Sequence, residues 1–246
     1  MEAGDMIKSV VEKISAKQSS LSGNAQVTIA FLGDSVTQGC FELVETGEKS
    51  FDTVYDAENA YSNKLKKLIN TFFPKVYVNV INAGISGDSA AGGLKRIERD
   101  VLKYSPDLMV VAFGLNDCVG RDVKDYEENM RDIFSRLKKA GTEVIFMSTN
   151  GMNEYVSPKI KQPVQIECAE KTKACQQNGI LGMFYDAACR AARQEGAFVC
   201  DCYGRWEQLS KSGADMTALL ANGINHPMRD MHWLFAVSLF ETIFFE

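Results

Sequence analysis

The chain has 246 residues, of which 46% are hydrophobic and 24% are charged, a balance typical of one α/β domain with a single large core. We therefore predict a single domain over residues 1–246. The formal net charge is −5, and the longest basic cluster is Lys64, Lys66 and Lys67, which argues against nucleic acid or an anionic membrane as a partner. The sequence shows neither a signal peptide nor the roughly 20 apolar residues of a membrane span, so we expect a cytoplasmic protein.

The cysteines indicate free thiols rather than a disulfide framework. Their number is odd, no C-x-x-C pair occurs, and the chain is large enough to fold without disulfides. They are Cys40, Cys118, Cys168, Cys175, Cys189, Cys200 and Cys202. Because the chain also has only two histidines and no paired ligand spacing, we expect no metal and no other cofactor.

Strands and helices alternate along the sequence. In chain order we predict a helix at 6–18, a strand at 26–32, an irregular polar loop containing Gly39, Gly47 and Asp52, a helix at 58–72 and a strand at 76–81. A glycine-rich turn at 82–89 then opens a helix to about residue 104, followed by a strand at 108–113, a helix at 123–140 and a strand at 143–148. After a loop at 149–165 come a helical segment at 166–194 with a break near 178–179, a strand at 197–201 and a final helix at 229–244. This order predicts a parallel sheet with helices on both faces.

The tetrapeptide Gly33-Asp34-Ser35-Val36 follows the apolar run 27–32 directly. A serine at the carboxyl end of a buried strand presents its hydroxyl where ligands bind α/β sheets, which is the position of a nucleophile. Ser and Asp after a strand also occur as a turn or helix N-cap with no chemical role. The tetrapeptide alone leaves both interpretations open.

Three further turns favour the nucleophile. Gly84 and Asn116 also follow predicted strands, and the loop at 220–227, which we group with these strand ends, contains His226. Because the carboxyl ends of parallel strands share one edge of the sheet, these residues are expected to converge on one cleft.

The residue types in these turns fit acyl transfer. A serine hydroxyl needs a base, and the ordinary pKa of histidine, near 6.5, makes His226 the natural one. The tetrahedral intermediate needs fixed hydrogen-bond donors, for which we assign the backbone N–H groups of Ser35 and Gly84 and the side-chain amide of Asn116.

Four short blocks together carry a resemblance to a known family. They are Gly33-Asp34-Ser35-Val36, Asn82-Ala83-Gly84, Gly114-Leu115-Asn116-Asp117 and His226-Pro227, in this order. They resemble the SGNH hydrolases of the GDSL esterase/lipase superfamily over most of the chain. The resemblance implies a flavodoxin-like three-layer α/β/α fold and esterase or acylhydrolase activity. It makes Ser35 the nucleophile and His226 the base, with Ser35, Gly84 and Asn116 forming the oxyanion hole.

The sequence departs from the family pattern near the histidine. The family places an acid three residues before the histidine to orient its imidazole, but this position is Gly223. A Ser-His dyad could work with a backbone carbonyl as the acceptor from Nδ1–H, an account we favour because an orienting acceptor need not be charged. Alternatively, Asn222 or an acid such as Asp215 or Asp230 orients the ring, or the activity is low.

Other polar residues near these blocks have structural interpretations. We expect His232 to pack in the apolar final helix, and Asp34 and Asp117 to accept hydrogen bonds from loop N–H groups. Cys40 and Cys118 lie close in sequence to Ser35 and Asn116, but buried thiols usually behave as small apolar groups.

The sequence therefore predicts a serine esterase. We expect it to cleave short acyl esters, such as acetyl esters of carbohydrates, with a small-molecule or oligosaccharide ester as substrate. The alternatives are a lysophospholipase or thioesterase type of acylhydrolase, a protein that transfers the acyl group to an acceptor other than water, and a catalytically weakened binding protein with the same fold.

Overall fold

The computed structural model, which describes residues 7–20, 26–47 and 50–245, has a parallel sheet flanked by helices. The parallel strands are β1 (Val27–Gly33), β4 (Val78–Gly84), β5 (Leu108–Ala112), β6 (Glu143–Ser148) and β7 (Phe198–Asp201), in the spatial order β4-β1-β5-β6-β7. The strands β2 (Cys40–Gly47) and β3 (Ser50–Tyr55) form a separate antiparallel pair.

Helices surround the sheet. They are α1 (Lys8–Ser19), α2 (Ser35–Gln38), α3 (Tyr61–Phe72), α4 (Ala90–Asp100), α5 (Val123–Lys139), α6 (Pro163–Gln177), α7 (Ile180–Gln194), α8 (Cys202–Lys211) and α9 (His232–Phe244). Short 3₁₀ turns occur at Ala57–Asn59, Leu102–Tyr104 and Arg229–Met231. No helix in the described ranges is long and apolar enough to cross a membrane. Met6, the first residue of the predicted opening helix, lies outside the described residues.

The strand order explains the three layers. The chain moves from β1 to one neighbour, β4, and then crosses back past β1 to β5, so successive crossovers run in opposite directions across the sheet. Right-handed crossovers place α3 on one face and α4, α5 and α7 on the other. With the strands renumbered, the order is that of flavodoxin-like sheets, whose ligands bind where the direction reverses, here between β1 and β5. The predicted α/β/α fold is confirmed.

Most predicted elements are present, with ends shifted by a few residues, but the segment before α3 was predicted wrongly. Strands β2 and β3, over residues 40–47 and 50–55, pair as an antiparallel hairpin where an irregular loop was predicted. Among the hairpin residues whose exposure is described, only Cys40 and Phe41 at its base are buried, whereas residues 44–47 are exposed. Because the hairpin extends away from the core, its sequence lacks the apolar alternation by which strands are recognised. Helix α8, absent from the predicted elements, is also short and mostly polar.

Strands β1, β4 and β5 end at the same level in the sheet. In the register of the sheet, Gly33 of β1 pairs with Gly84 of β4 and with Ala112 of β5. The segments that follow these three residues therefore leave the sheet side by side. This register places the Ser35 turn between the glycine-rich turn at 85–89 and the turn that contains Asn116.

Arg96 of α4 forms hydrogen bonds to the ends of both β1 and β4. Its guanidinium donates to the carbonyl oxygens of Gly33 at 3.1 Å and Ala83 at 2.6 Å. It also pairs with the carboxylates of Asp88 at 2.7 Å and Asp100 at 3.3 Å. The arginine is only 8% exposed, so little water is available to donate hydrogen bonds to these carbonyl and carboxylate groups in its place. Charge-assisted hydrogen bonds in such a setting are among the stronger polar interactions in proteins.

We predict that Arg96→Met destabilises the fold by about 3 kcal/mol, because it leaves buried carbonyl and carboxylate groups without donors. Urea unfolding followed by circular dichroism measures the change. Arg99→Gln is the matched control, since Arg99 lies on the same helix, is exposed and pairs with Asp100 alone. A midpoint for Arg96→Met equal to that of the Arg99 variant would contradict this role.

Candidate active site

Ser35 is the first residue of α2 and directly follows the turn that leaves β1. The helix cap is provided by Asp34, whose carboxylate accepts a hydrogen bond from the Val36 N–H at 2.9 Å. The Ser35 hydroxyl is therefore not used as a cap, which removes the structural alternative for this serine. Asp34 is fully buried, and this burial raises its pKa to about 7. The expectation that Asp34 serves as a structural acceptor is confirmed.

His226 meets Ser35 across the edge of the sheet. Its Nε2 lies 2.8 Å from the Ser35 Oγ, and the two residues are only 6% and 4% exposed. The loop that carries His226 follows α8 rather than a strand, so its predicted position at a strand end is wrong. A bridge between Leu220 and Pro227 closes this loop and brings the histidine back to the sheet edge.

A backbone carbonyl orients the imidazole. His226 Nδ1 lies 3.0 Å from the Phe41 carbonyl oxygen. Since a carbonyl oxygen only accepts, Nδ1 carries the proton and Nε2 faces Ser35 with its lone pair. Burial lowers the pKa of His226 to about 4, although the hydrogen bond to Phe41 acts in the opposite direction. The imidazole is therefore neutral near pH 7 and ready to accept a proton.

Asn222 holds the backbone of the histidine loop and not the imidazole ring. Its Oδ1 accepts hydrogen bonds from the N–H groups of Ile224, Asn225 and His226, each at 2.9 Å. Of the other candidates for orienting the ring, Asp215 bonds to the Tyr155 hydroxyl and the Ala218 N–H instead. The interpretation of Asn222 as a partner of the ring is wrong. Asn222 nevertheless positions His226 directly, through the hydrogen bond that it accepts from the His226 N–H.

The geometry of the loop explains why position 223 carries no acid. Gly223 has a φ of +66°, a left-handed conformation that L side chains rarely adopt. A Cβ at this position would also lie 3.0 Å from the Cβ of Ser157. An aspartate here would be strained and crowded, and the acceptor for the Nδ1–H of His226 is instead the Phe41 carbonyl.

An ion-pair cluster fixes the segment that supplies this carbonyl. Arg229 pairs with both oxygens of Glu42, at 2.5 and 3.1 Å, and with Asp56 at 2.8 Å. Its guanidinium also lies 4.4 Å from the ring centroid of Phe41. The arginine lowers the pKa values of Glu42 and Asp56. It thus joins Glu42 of β2 and Asp56, the residue directly after β3, to the segment that follows His226.

Gly84 does not line the cleft as predicted. Its N–H donates to Asn82 Oδ1 at 3.0 Å, and a Cβ on Gly84 would lie 2.2 Å from the Gln38 nitrogen. Gly84 is therefore a packing position where β4 meets α2, with its N–H already engaged. The glycine that borders the cleft beside Ser35 is Gly87. Sequence reasoning chose the glycine at the strand end and overlooked the one three residues later in the same turn.

Hydrogen bonds hold the turn in place on both sides of Gly87. The Ser86 N–H donates to Gln38 Oε1 at 2.6 Å, and the Asp88 N–H donates to the Ile85 carbonyl at 3.1 Å. Gly87 itself has a φ of +76°. Among the described residues, no hydrogen bond to its N–H is found, so this donor remains available to a ligand.

Asn116 completes the group. Its Nδ2 donates one hydrogen to the Asp88 carbonyl at 2.8 Å, which orients the amide and leaves the second hydrogen free for the cleft. The neighbouring Asp117 is buried and accepts from the Ala90 N–H at 3.1 Å, as expected of a structural acceptor. Burial raises the pKa of Asp117 to about 6.

The cleft above Ser35 has a volume of about 290 Å³. Ser86, Gly87 and Asn116 line one side, and the hairpin contributes Leu43 and Thr53. The thiol-bearing Cys168 of α6 also borders the cleft, which the sequence gave no signal for. Cys40 and Cys118 are buried and do not line the cleft, and burial raises the pKa of both thiols. Within the described ranges, no group of three or more metal-ligating side chains is found.

His232 belongs to the packing around this site. It is fully buried, and its Nδ1 accepts a hydrogen bond from the Tyr61 N–H at 3.1 Å. Its ring centroid lies 4.9 Å from that of Phe41. Burial lowers the pKa of His232 to about 3, so it stays neutral while it supports the ring of Phe41. The expectation of a packing role is confirmed.

Comparison with known proteins identifies the family. The chain is 33% identical over 132 residues to an acetylxylan esterase of Geobacillus stearothermophilus, and 35% identical over 101 residues to an arylesterase of Vibrio mimicus. The matches cover 49% and 37% of this chain and 58% and 50% of the relatives, so the chain spans about half the length of the curated relatives it matches.

A solved structure shows the same fold over nearly the whole chain. The acetylxylan esterase Axe2 from Geobacillus stearothermophilus superposes with a TM-score of 0.67 at 19% identity, covering 89% of this chain and 95% of that one. The model of the GDSL-like Lipase/Acylhydrolase family matches residues 31–234, which include Ser35, Asn116 and His226. This chain is therefore a member of the GDSL-like lipase/acylhydrolase family.

Proposed function

We propose that this protein is a serine esterase that cleaves short acyl esters through a Ser35–His226 dyad. The observation that carries the proposal is the 2.8 Å contact between Ser35 Oγ and the lone pair of His226 Nε2, at the edge of the cleft. This is the arrangement that an activated serine nucleophile requires. Membership of a family described as lipases and acylhydrolases supports the same reaction.

The reaction begins with acylation of the serine. As Ser35 Oγ attacks the ester carbonyl carbon, its proton passes to His226 Nε2, and a tetrahedral intermediate forms. Collapse of this intermediate breaks the bond to the alcohol oxygen, which takes the proton back from Nε2 as it leaves. A water molecule then gives a proton to the same nitrogen and attacks the acyl carbon on Ser35. Collapse of the second tetrahedral intermediate breaks the bond between the acyl carbon and Oγ, Nε2 returns the proton to Oγ, and the acid is released.

The negative oxygen of the tetrahedral intermediate is met by three donors in this proposal. They are the N–H groups of Ser35 and Gly87 and the remaining amide hydrogen of Asn116. The Ser35 N–H is the first of α2 and has no partner within the helix. Gly87 takes the place that sequence reasoning gave to Gly84, because the Gly84 N–H is engaged by Asn82. Loss of one such donor typically costs 10²–10³-fold in rate.

The Phe41 carbonyl makes an acidic third residue unnecessary in this mechanism. It fixes the ring and the tautomer of His226, which are two of the functions that an aspartate serves. The missing acid was the motive for considering a weakened binding protein, and the bond to Phe41 removes that motive. The small cleft favours a short acyl group such as acetyl, and the relative named an acetylxylan esterase favours a carbohydrate alcohol.

We predict that Ser35→Ala lowers kcat for p-nitrophenyl acetate by ~10⁴-fold or more, since loss of the nucleophile leaves only binding and the oxyanion donors. Release of p-nitrophenolate measures the rate. Ser86→Ala is the matched control because it removes a cleft serine that is not bonded to a histidine, and it should keep at least about a tenth of the activity. Turnover by the Ser35 variant within tenfold of the wild type would refute the proposal.

We predict that kcat/KM for this neutral ester stays level from pH 8 to about pH 5.5 and falls only as the pH approaches 4. The pKa of the buried His226 is lowered to about 4, so protonation removes the base only below that range. Rates at the isosbestic wavelength of the product, with circular dichroism as a check on folding, give the profile. The pKa of the His226 ring measured by NMR should match the acid limb of this rate profile. A loss of rate and a ring titration that both centre at pH 6.5 would exclude a lowered pKa for the base.

We predict that Arg229→Gln lowers kcat about 10-fold to 100-fold with little change in KM, because the Phe41 carbonyl loses its support and His226 drifts from its reacting position. Kinetics with p-nitrophenyl acetate give the split between kcat and KM, and the Nδ1–H resonance of His226 should weaken or shift. Arg205→Gln, which removes a surface pair with Glu241, is the control. An unchanged kcat and an unchanged resonance would show that the cluster is only structural.

A further inference from the structure

A larger recess adjoins the cleft on the side away from the hairpin. It has a volume of about 530 Å³, compared with about 290 Å³ for the cleft above Ser35. The two spaces share Gly87, Asn116, Cys168 and Asn225 as lining residues. The recess therefore adjoins the space above Ser35 along these four residues, on the side of the cleft where Asn116 lies.

Two positive side chains line the recess. They are Arg121, in the turn before α5, and Lys171 of α6, and the described residues that line the recess include no aspartate or glutamate. This composition differs from that of the chain as a whole, whose net charge is −5. It differs also from the cleft itself, which Asp52 borders. A local excess of positive charge in an acidic protein is a feature of sites for anionic ligands.

Both cations are available to a ligand. Arg121 is exposed, and no salt bridge joins it to a carboxylate in the part of the chain that the structure describes, although its charge acts on the buried Asp117 and opposes the rise that burial causes in the pKa of that carboxyl. Lys171 pairs with Glu167 at 2.7 Å, but both side chains are more than half exposed, at 60% and 68%. Exposed pairs of this kind contribute little stability and are readily exchanged for another partner. The planar guanidinium of Arg121 suits a bidentate contact with a carboxylate or a phosphate.

We propose that the recess binds a negatively charged group on the alcohol part of the ester substrate, through Arg121 and Lys171. The inference rests on the proposed esterase function and specifies its substrate class as short acyl esters of acidic alcohols, such as acetylated sugar acids or sugar phosphates. The alcohol part occupies the recess because a short acyl group is held above Ser35 and cannot extend beyond Asn116. Carboxylate and phosphate present the same recognition chemistry to the two cations.

Matched pairs of substrates test the charge requirement. The first pair is acetylated glucuronic acid and its neutral amide, acetylated glucuronamide. The second pair is acetylated glucose 6-phosphate and acetylated glucose. Within each pair the acetyl group is on the same hydroxyl. We expect kcat/KM to be at least ~10-fold higher for the charged member of at least one pair. The pair that shows the larger ratio identifies the carboxylate or the phosphate as the group recognised.

Variants assign this preference to the recess. Arg121→Gln and Lys171→Gln should each reduce the ratio of charged to neutral kcat/KM by ~3-fold to 10-fold, mainly through KM of the charged ester. Lys173→Gln is the control, because Lys173 lies on the same helix, does not line the recess and pairs with Glu170. Equal rates for charged and neutral esters in the wild type, or an equal loss in the Lys173 variant, would overturn the inference.

A binding measurement separates this inference from the proposed function. Calorimetry of the wild-type protein with glucuronate, glucose 6-phosphate and glucose requires no turnover. Tighter binding of a charged compound that weakens in Arg121→Gln supports the recess even when no ester is hydrolysed, in which case the esterase proposal fails alone. Hydrolysis of p-nitrophenyl acetate without any charge preference in rate or binding leaves the esterase proposal standing and rejects the anionic site.

Discussion

The common level at which β1, β4 and β5 end is the constraint on which the site depends. Gly33, Gly84 and Ala112 lie side by side in the register, so the turns that follow them begin together. Arg96 then bonds the carbonyls of Gly33 and Ala83 while it holds the carboxylate of Asp88. The same Asp88 offers its carbonyl to Asn116, so one buried arginine connects the strand ends to two of the three turns at the cleft.

His226 lies on a loop that follows α8 and not a strand of the sheet, so the contacts that hold it at this edge are different. The loop at 222–226 depends on hydrogen bonds to the side chain of Asn222 and on the left-handed Gly223. An acid at that position would be strained and crowded, and the imidazole bonds instead to the Phe41 carbonyl on the hairpin. A carbonyl carries no net charge, so it fixes the ring direction but stabilises an imidazolium less than a carboxylate does. The pairs of Arg229 with Glu42 and Asp56 keep this carbonyl in place.

The sequence was sufficient for the parallel sheet and for the placement of Ser35, Asn116 and His226 around one cleft, because these features leave local signals. Buried strands leave apolar runs, and short motifs follow them at turns. The hairpin left no such signal, since it is mostly exposed. The hydrogen bond between the Phe41 carbonyl on this hairpin and His226, 185 positions apart in sequence, could therefore not be predicted either. Gly84 and Gly87 stand in the same glycine-rich turn, and only the hydrogen bond of Gly84 to Asn82 distinguishes the packing glycine from the one at the cleft.

Burial of the dyad sets the electrostatic conditions for the proposed reaction. The pKa of His226 is lowered to about 4, so an isolated imidazolium is unfavourable in the resting site. During acylation the imidazolium forms together with the negative oxygen of the tetrahedral intermediate, and two opposite charges formed together in a water-poor site attract strongly. Of the neighbouring carboxyl groups, Asp34 is only about half ionised at pH 7, because burial raises its pKa to about 7, whereas Asp117, with a pKa raised to about 6, is mostly ionised. A base that is weak in the resting protein is therefore compatible with catalysis, provided that Gly87 and Asn116 hold the oxygen in place.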